Sequence, residues 1–121
     1  MTVAEVGFPR ARRLLQSAQF EHVFARSCKA GESCVTVLAR ANDLPYPRLG
    51  LVVSKRSAKK AVMRNRIKRL AREVFRHLQD RLGGVDLIVI SRAHLADRSK
   101  SALAELFSKY FVNAASRCRK S

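Results

Sequence analysis

The chain contains no tryptophan, three prolines, three cysteines and nine acidic residues among its 121 positions. The cysteines (Cys28, Cys34, Cys118) are odd in number and unevenly spaced. That pattern matches neither a disulfide framework nor a zinc site, so all three read as reduced thiols. No stretch free of charged side chains exceeds seven residues (Leu14–Phe20, Ser33–Ala39, Tyr110–Ser116), whereas a membrane span needs about 20 apolar residues. Met1 to Arg10 carries Glu5 and no apolar core of signal-peptide length, so no export signal is read and the cytoplasm is the expected compartment. The acids are scattered singly, with no Asp-x-Asp or Glu-x-x-Asp cluster to hold two metals, and His22, His77 and His94 stand apart. No residue is therefore assigned as catalytic or metal-ligating.

Apolar residues are present at an ordinary 47%, enough for one modest core, and the expectation is a single domain spanning 1–121. The unusual feature is the balance of charge. The 25 Lys and Arg leave a formal net charge of +16 and a pI near 11.2. Self-repulsion of that size is most easily tolerated beside a polyanion, which places nucleic acid ahead of acidic proteins as the partner.

Residues 1–16 show no sustained period, and 1–12 are assigned to an extended N-terminal lead-in. Ser17 is a suitable cap for a helix whose apolar residues Phe20, Val23 and Phe24 fall on one face, ending near Cys28 and before Gly31. Cys34–Arg40 and Arg48–Ser54 read as two antiparallel strands joined by the turn-rich 42–47 loop. The 3/4 spacing of Val62, Met63, Ile67, Leu70, Ala71, Val74, Phe75 and Leu78 predicts a long amphipathic helix stopped by Gly83-Gly84. Val85–Ser91 is a buried-strand run, and a last helix capped from Asp97 or Ser99 carries Ala102 to Phe111, leaving 117–121 as a fraying basic tail. The order α-β-β-α-β-α makes an α+β fold, and a strand–helix–strand unit of this kind is normally a right-handed parallel crossover.

Between Ser54 and Leu78 lie ten of the 25 cations (Lys55, Arg56, Lys59, Lys60, Arg64, Arg66, Lys68, Arg69, Arg72, Arg76), opposed by Glu73 alone. Arg64, Lys68 and Arg72, then Asn65, Arg69 and Arg76, cover the side of the helix away from its apolar stripe. A charged helix face is usually just solvated. A face of nearly one sign, rich in guanidinium forks, instead suits phosphate.

Within this segment, Leu49 to Arg76 closely resembles the signature of the protein subunit of bacterial ribonuclease P, whose Arg-Asn-Arg motif stands here as Arg64-Asn65-Arg66 followed by Ile-Lys-Arg. Phe20-Glu-His-Val-Phe24 resembles the first-helix motif of the same family. The resemblance implies an α/β sandwich with a sheet of about four strands and a left-handed strand–helix–strand crossover. It also implies a small protein that binds the catalytic ribonuclease P RNA and the 5′ leader of precursor tRNA, with no obligate protein partner. The RNA performs the hydrolysis with magnesium held mainly by the RNA, and no cofactor is bound by the protein. Lys55, Arg56, Lys59, Lys60, Arg64, Asn65, Arg66, Lys68, Arg69 and Arg72 are then the RNA-binding residues. Phe20 and Phe24 match the stacking positions of a leader-binding cleft, consistent with the way aromatics over a cationic track hold single strands without reading sequence. Ordinary core is the plainer reading of these two rings, since aromatics four apart on an amphipathic helix usually are core. A ribosomal protein or RNA chaperone would share the charge and fold class. A DNA-binding factor would need a short helix and tight turn before the basic helix, where a strand stands instead.

Overall fold

The computed structural model describes Arg13 and residues 17–120; the 1–12 lead-in lies outside the described residues. The elements in chain order are α1 (Ser17–Ala25), β1 (Cys28–Glu32), β2 (Val35–Ala41), β3 (Arg48–Val52), α2 (Ala61–Leu82), β4 (Val85–Ser91), a 3-10 turn (Leu95–Asp97) and α3 (Lys100–Lys120). They form a mixed α+β fold around one four-stranded sheet, ordered β1-β2-β4-β3.

The sheet corrects two expectations. First, β2 and the strand after it are not neighbours: β4 lies between them, antiparallel to β2 and parallel to β3. The reason is visible in β4 itself. Val85-Asp-Leu-Ile-Val-Ile-Ser91 is buried at every position but Ile90, and a nearly continuous apolar run belongs at the centre of a sheet covered on both faces. Second, β1 is a strand that the sequence pattern does not announce. Of Cys-Lys-Ala-Gly-Glu only Ala30 is buried, so no alternation marks it. Its hairpin with β2 turns over Ser33-Cys34, with Glu32 opposite Val35, and Gly31 makes the close approach possible. A Cβ at Gly31, where φ is 150°, would lie 2.3 Å from the Val35 carbonyl oxygen.

Strand alternation divides the apolar residues between two faces. Val35, Val37, Ala39, Leu49, Leu87 and Val89 pack with Ile67, Leu70, Ala71 and Phe75 of α2 and Leu103, Phe107 and Phe111 of α3 in the main core. There Phe107 stacks on Phe111 at 5.8 Å and Phe75 meets Phe111 edge-on at 6.3 Å, both favourable ring geometries. The opposite face carries a smaller cluster, Val23 of α1 on Leu38 and Ile88, flanked by Phe20, Val52 and Ile90. With nine residues, α1 buries only Val23 completely, and an isolated helix that short is marginal in water. Contact with the sheet holds it, and it leaves much of that face open.

Junctions are fixed by polar contacts. Asp86, 1% exposed, accepts hydrogen bonds from Arg48 Nε and Nη2 at 2.8 and 2.7 Å and from Asn42 Nδ2 at 2.9 Å. Helix α2 ends at Gly83, whose φ of 74° only glycine adopts freely. Ser99 is the realised cap of α3, accepting the Ala102 amide on Oγ at 3.2 Å. In place of a fraying tail from 117, α3 runs on to Lys120. Arg117 donates to the Lys29 carbonyl and Cys118 to the Ala39 carbonyl, so apolar and polar contacts with β1 and β2 extend the helix.

Candidate nucleic-acid interface

The turn Ser54–Ser57, closed by Ser57 N and Oγ donating to the Ser54 carbonyl at 3.2 and 2.9 Å, leads from β3 toward α2 and is pinned by the buried Ala58. Lys55, Arg56, Lys59 and Lys60 are all exposed on it. Along α2 the crest opposite the core shows Asn65 and Arg69 exposed, with Arg76 half-buried, and Val62 is 68% exposed among them.

The two arginines of Arg64-Asn65-Arg66 diverge, because neighbours two apart on a helix point to opposite flanks. Arg64 turns back and donates from Nη1 to the Ala58 and Lys59 carbonyls at 2.9 and 2.8 Å. It therefore ties the basic loop to the helix as well as contributing charge. Arg66 lies on the other flank, where Nη2 reaches the Arg98 carbonyl at 3.4 Å. Half-buried Lys68 and Arg72 continue the Arg64 flank. That flank nears Arg13, which makes a parallel bridge to Leu49 on the outer edge of β3. Burial, then the nearby Arg13 charge, lowers the pKa of Arg72. Among the described residues the ion pairs are Arg48–Asp86, Arg98–Glu32 and His94–Asp97. None draws on the ten cations of the 54–78 segment.

The sheet places Phe20 and Phe24 on the other side of the molecule from α2. Their ring centroids are 6.4 Å apart and the planes tilt by 30°. Phe20 is half-buried against the Val23–Leu38–Ile88 cluster, and Phe24 is 48% exposed. The core reading therefore holds in part for Phe20 and not for Phe24.

Cross-strand register puts Lys29 opposite Leu38 and Thr36 opposite Ile90 on this same face, and alternation adds Arg40. Arg40 Nη1 donates to the His22 carbonyl of α1, and Arg92 Nε to Thr36 Oγ1 at 3.4 Å. The sequence expectation contains none of these four side chains. Alternation within β2 carries the signal for Thr36 and Arg40; Lys29 and Arg92 need the pairing of strands that are distant or unmarked in sequence.

Of the histidines, His94 Nδ1 lies 3.2 Å from Asp97 Oδ2 and His77 Nε2 lies 3.4 Å from Arg76 Nη2. No group of three or more His, Cys, Asp and Glu able to hold a metal ion stands among the described residues. No helix among the described residues is long and apolar enough to cross a membrane.

A family model described as Ribonuclease P matches residues 8–115. The ribonuclease P protein component of Methylococcus capsulatus is 43% identical over 112 residues, covering 93% of this chain and 88% of that protein. The corresponding protein of Stutzerimonas stutzeri is 51% identical over 104 residues, covering 85% and 79%. The solved structure of the Staphylococcus aureus RNase P protein is similar with a TM-score of 0.80 at 27% identity, covering 87% of this chain and 96% of that one. With a basic crest on α2 and a half-open aromatic face under α1, this chain belongs to the ribonuclease P family as a protein component of the endonuclease that matures tRNA 5′ ends.

Proposed function

We propose that this chain acts as one RNA-binding domain with two working surfaces. The loop 54–60 and helix α2 bind the ribonuclease P RNA through Lys55, Arg56, Lys59, Lys60, Arg64, Asn65, Arg66, Lys68, Arg69 and Arg72. The face under α1 holds the 5′ leader of precursor tRNA through Phe20 and Phe24. The observation that carries the first surface is the absence, among the described residues, of any ion pair to those nine clustered cations. Charges left so close together are stabilised by phosphates that bridge them, with release of counterions. Support for the second surface is the exposed Phe24 ring beside a sheet face edged by Lys29, Arg40 and Arg92. A flat aromatic offers stacking of about 1–3 kcal/mol per base whatever the sequence, and the cations follow the backbone.

In this reading the hydrolysis and the magnesium ions it uses belong to the RNA, the site of work is the cytoplasm, and the protein needs no obligate protein partner. The protein's part is to offset phosphate repulsion in the folded RNA and to hold the substrate leader. The test is reconstitution with a bacterial ribonuclease P RNA at low magnesium. The RNA alone should cleave precursor tRNA poorly there and the mixture efficiently, while the protein alone cleaves nothing. Site-specific cleavage by RNA-free protein would overturn the assignment of chemistry to RNA.

A further inference from the structure

Cys28 opens β1, and its register partner on β2 is Ala39. Cys118, near the end of α3, donates its thiol to the carbonyl of that same Ala39 at 2.9 Å, which sets the two cysteines beside each other. Arg117 donates to the carbonyl of Lys29, the residue after Cys28. Two consecutive positions of the helix end are thus fastened to the paired strands β1 and β2. Both cysteines are half-buried and line one surface cavity of about 440 Å³, shared with Arg26, Ser27, Arg40 and Asp43. Cys34 differs: it is 2% exposed and directed at Glu32.

We propose that Cys28 and Cys118 form a redox-active dithiol that a small disulfide oxidant closes into an intramolecular disulfide, fastening the end of α3 to β1. One cysteine thiolate attacks the oxidant's S–S bond and expels one thiolate, leaving a mixed disulfide. The other cysteine sulfur attacks that mixed disulfide and expels the second. The protein gives up two protons and two electrons, and the oxidant leaves as two thiols. Burial, then the neighbouring Cys28, pushes the pKa of Cys118 up to about 11, so the first attack falls to Cys28.

The full chain is incubated with glutathione disulfide and its peptides are mapped without reduction. The expected product is a Cys28–Cys118 linked peptide with Cys34 unmodified. Its melting temperature should be higher by at least about 5 °C, because the bond closes a long loop, and dithiothreitol should reverse the shift. Cys34→Ser should form the link unchanged, whereas Cys118→Ser should stop at a glutathione adduct on Cys28. Separate glutathione adducts on Cys28 and Cys118 of the wild-type chain, links found only between molecules, or no reaction at either residue would each overturn the proposal.

Discussion

Arg64 and Arg69 lie on one helix and carry the same charge, yet their removal should cost different things. Arg64 donates to two loop carbonyls, while Arg69 is exposed on the crest. Arg64→Ala should lower stability by about 1 kcal/mol, the scale of a partly solvated hydrogen-bonding group. Arg69→Ala should change it by less than about 0.5 kcal/mol. Both should weaken binding to ribonuclease P RNA, so urea denaturation and RNA affinity measured on the same two variants separate loop-tying from charge. A second residue-scale expectation concerns alkaline pH. The pKa of Cys118 is raised from 9.0 to about 11, burial being the main cause. Tyr110 is raised by its hydrogen bond to Glu32, and Cys34 by burial. A raised pKa means that the folded state holds its proton more tightly than the unfolded chain. The stabilisation is complete below pH 9 and is lost as pH climbs toward 11. Melting temperature should fall across that window, and Cys118→Ala should fall less steeply than the wild type.

Among the elements, α2 and β4 are legible because packing and pattern agree. The 3/4 spacing of Ile67, Leu70, Ala71, Val74 and Phe75 is the buried stripe itself, and the unbroken apolar run of β4 marks a strand covered on both faces. Strand β1 is illegible because an edge strand with one buried residue leaves no periodic trace. The placement of β4 between β2 and β3 is likewise a long-range choice, made by the α2 crossover rather than by the 42–47 loop. Gly83-Gly84 reads as one stop signal, yet the two glycines do different work. Gly83 ends α2 through its positive φ, whereas Gly84 lets the 42–47 loop approach. A Cβ there would sit 2.1 Å from the Leu44 carbonyl oxygen. Gly84→Ala should therefore destabilise by roughly 2 kcal/mol, within the usual range for overpacking, because the backbone cannot move aside without disturbing the Asn42 N to Gly84 O bond of 3.1 Å. Thermal denaturation of that variant checks the close approach; an unchanged melting temperature would mean the loop yields freely.

For the whole molecule, the +16 charge and its concentration before and along α2 are plain in the sequence. What the sequence leaves open is the assignment of individual cations to tasks, such as Arg64 to the loop and Arg72 to a partly buried place near Arg13. Affinity for ribonuclease P RNA should fall steeply with salt, on the order of a thousandfold between low and moderate ionic strength if six or more phosphates are neutralised. A nearly flat response in filter-binding titrations would remove the basic surface from the interface.

The division of labour between two surfaces is tested most directly by the affinity of reconstituted enzyme for precursor tRNA with a leader and for mature tRNA. The comparison is made with wild-type, Phe24→Ala and Arg69→Ala protein. Phe24→Ala should lose roughly 1–3 kcal/mol of leader preference and assemble normally with the RNA, its stability little changed because the ring is 48% exposed. Arg69→Ala should need more protein or more magnesium to assemble, with its leader preference intact. If Phe24→Ala keeps the full preference for the leader, or Arg69→Ala loses that preference while assembling normally, the two surfaces do not divide the work as described.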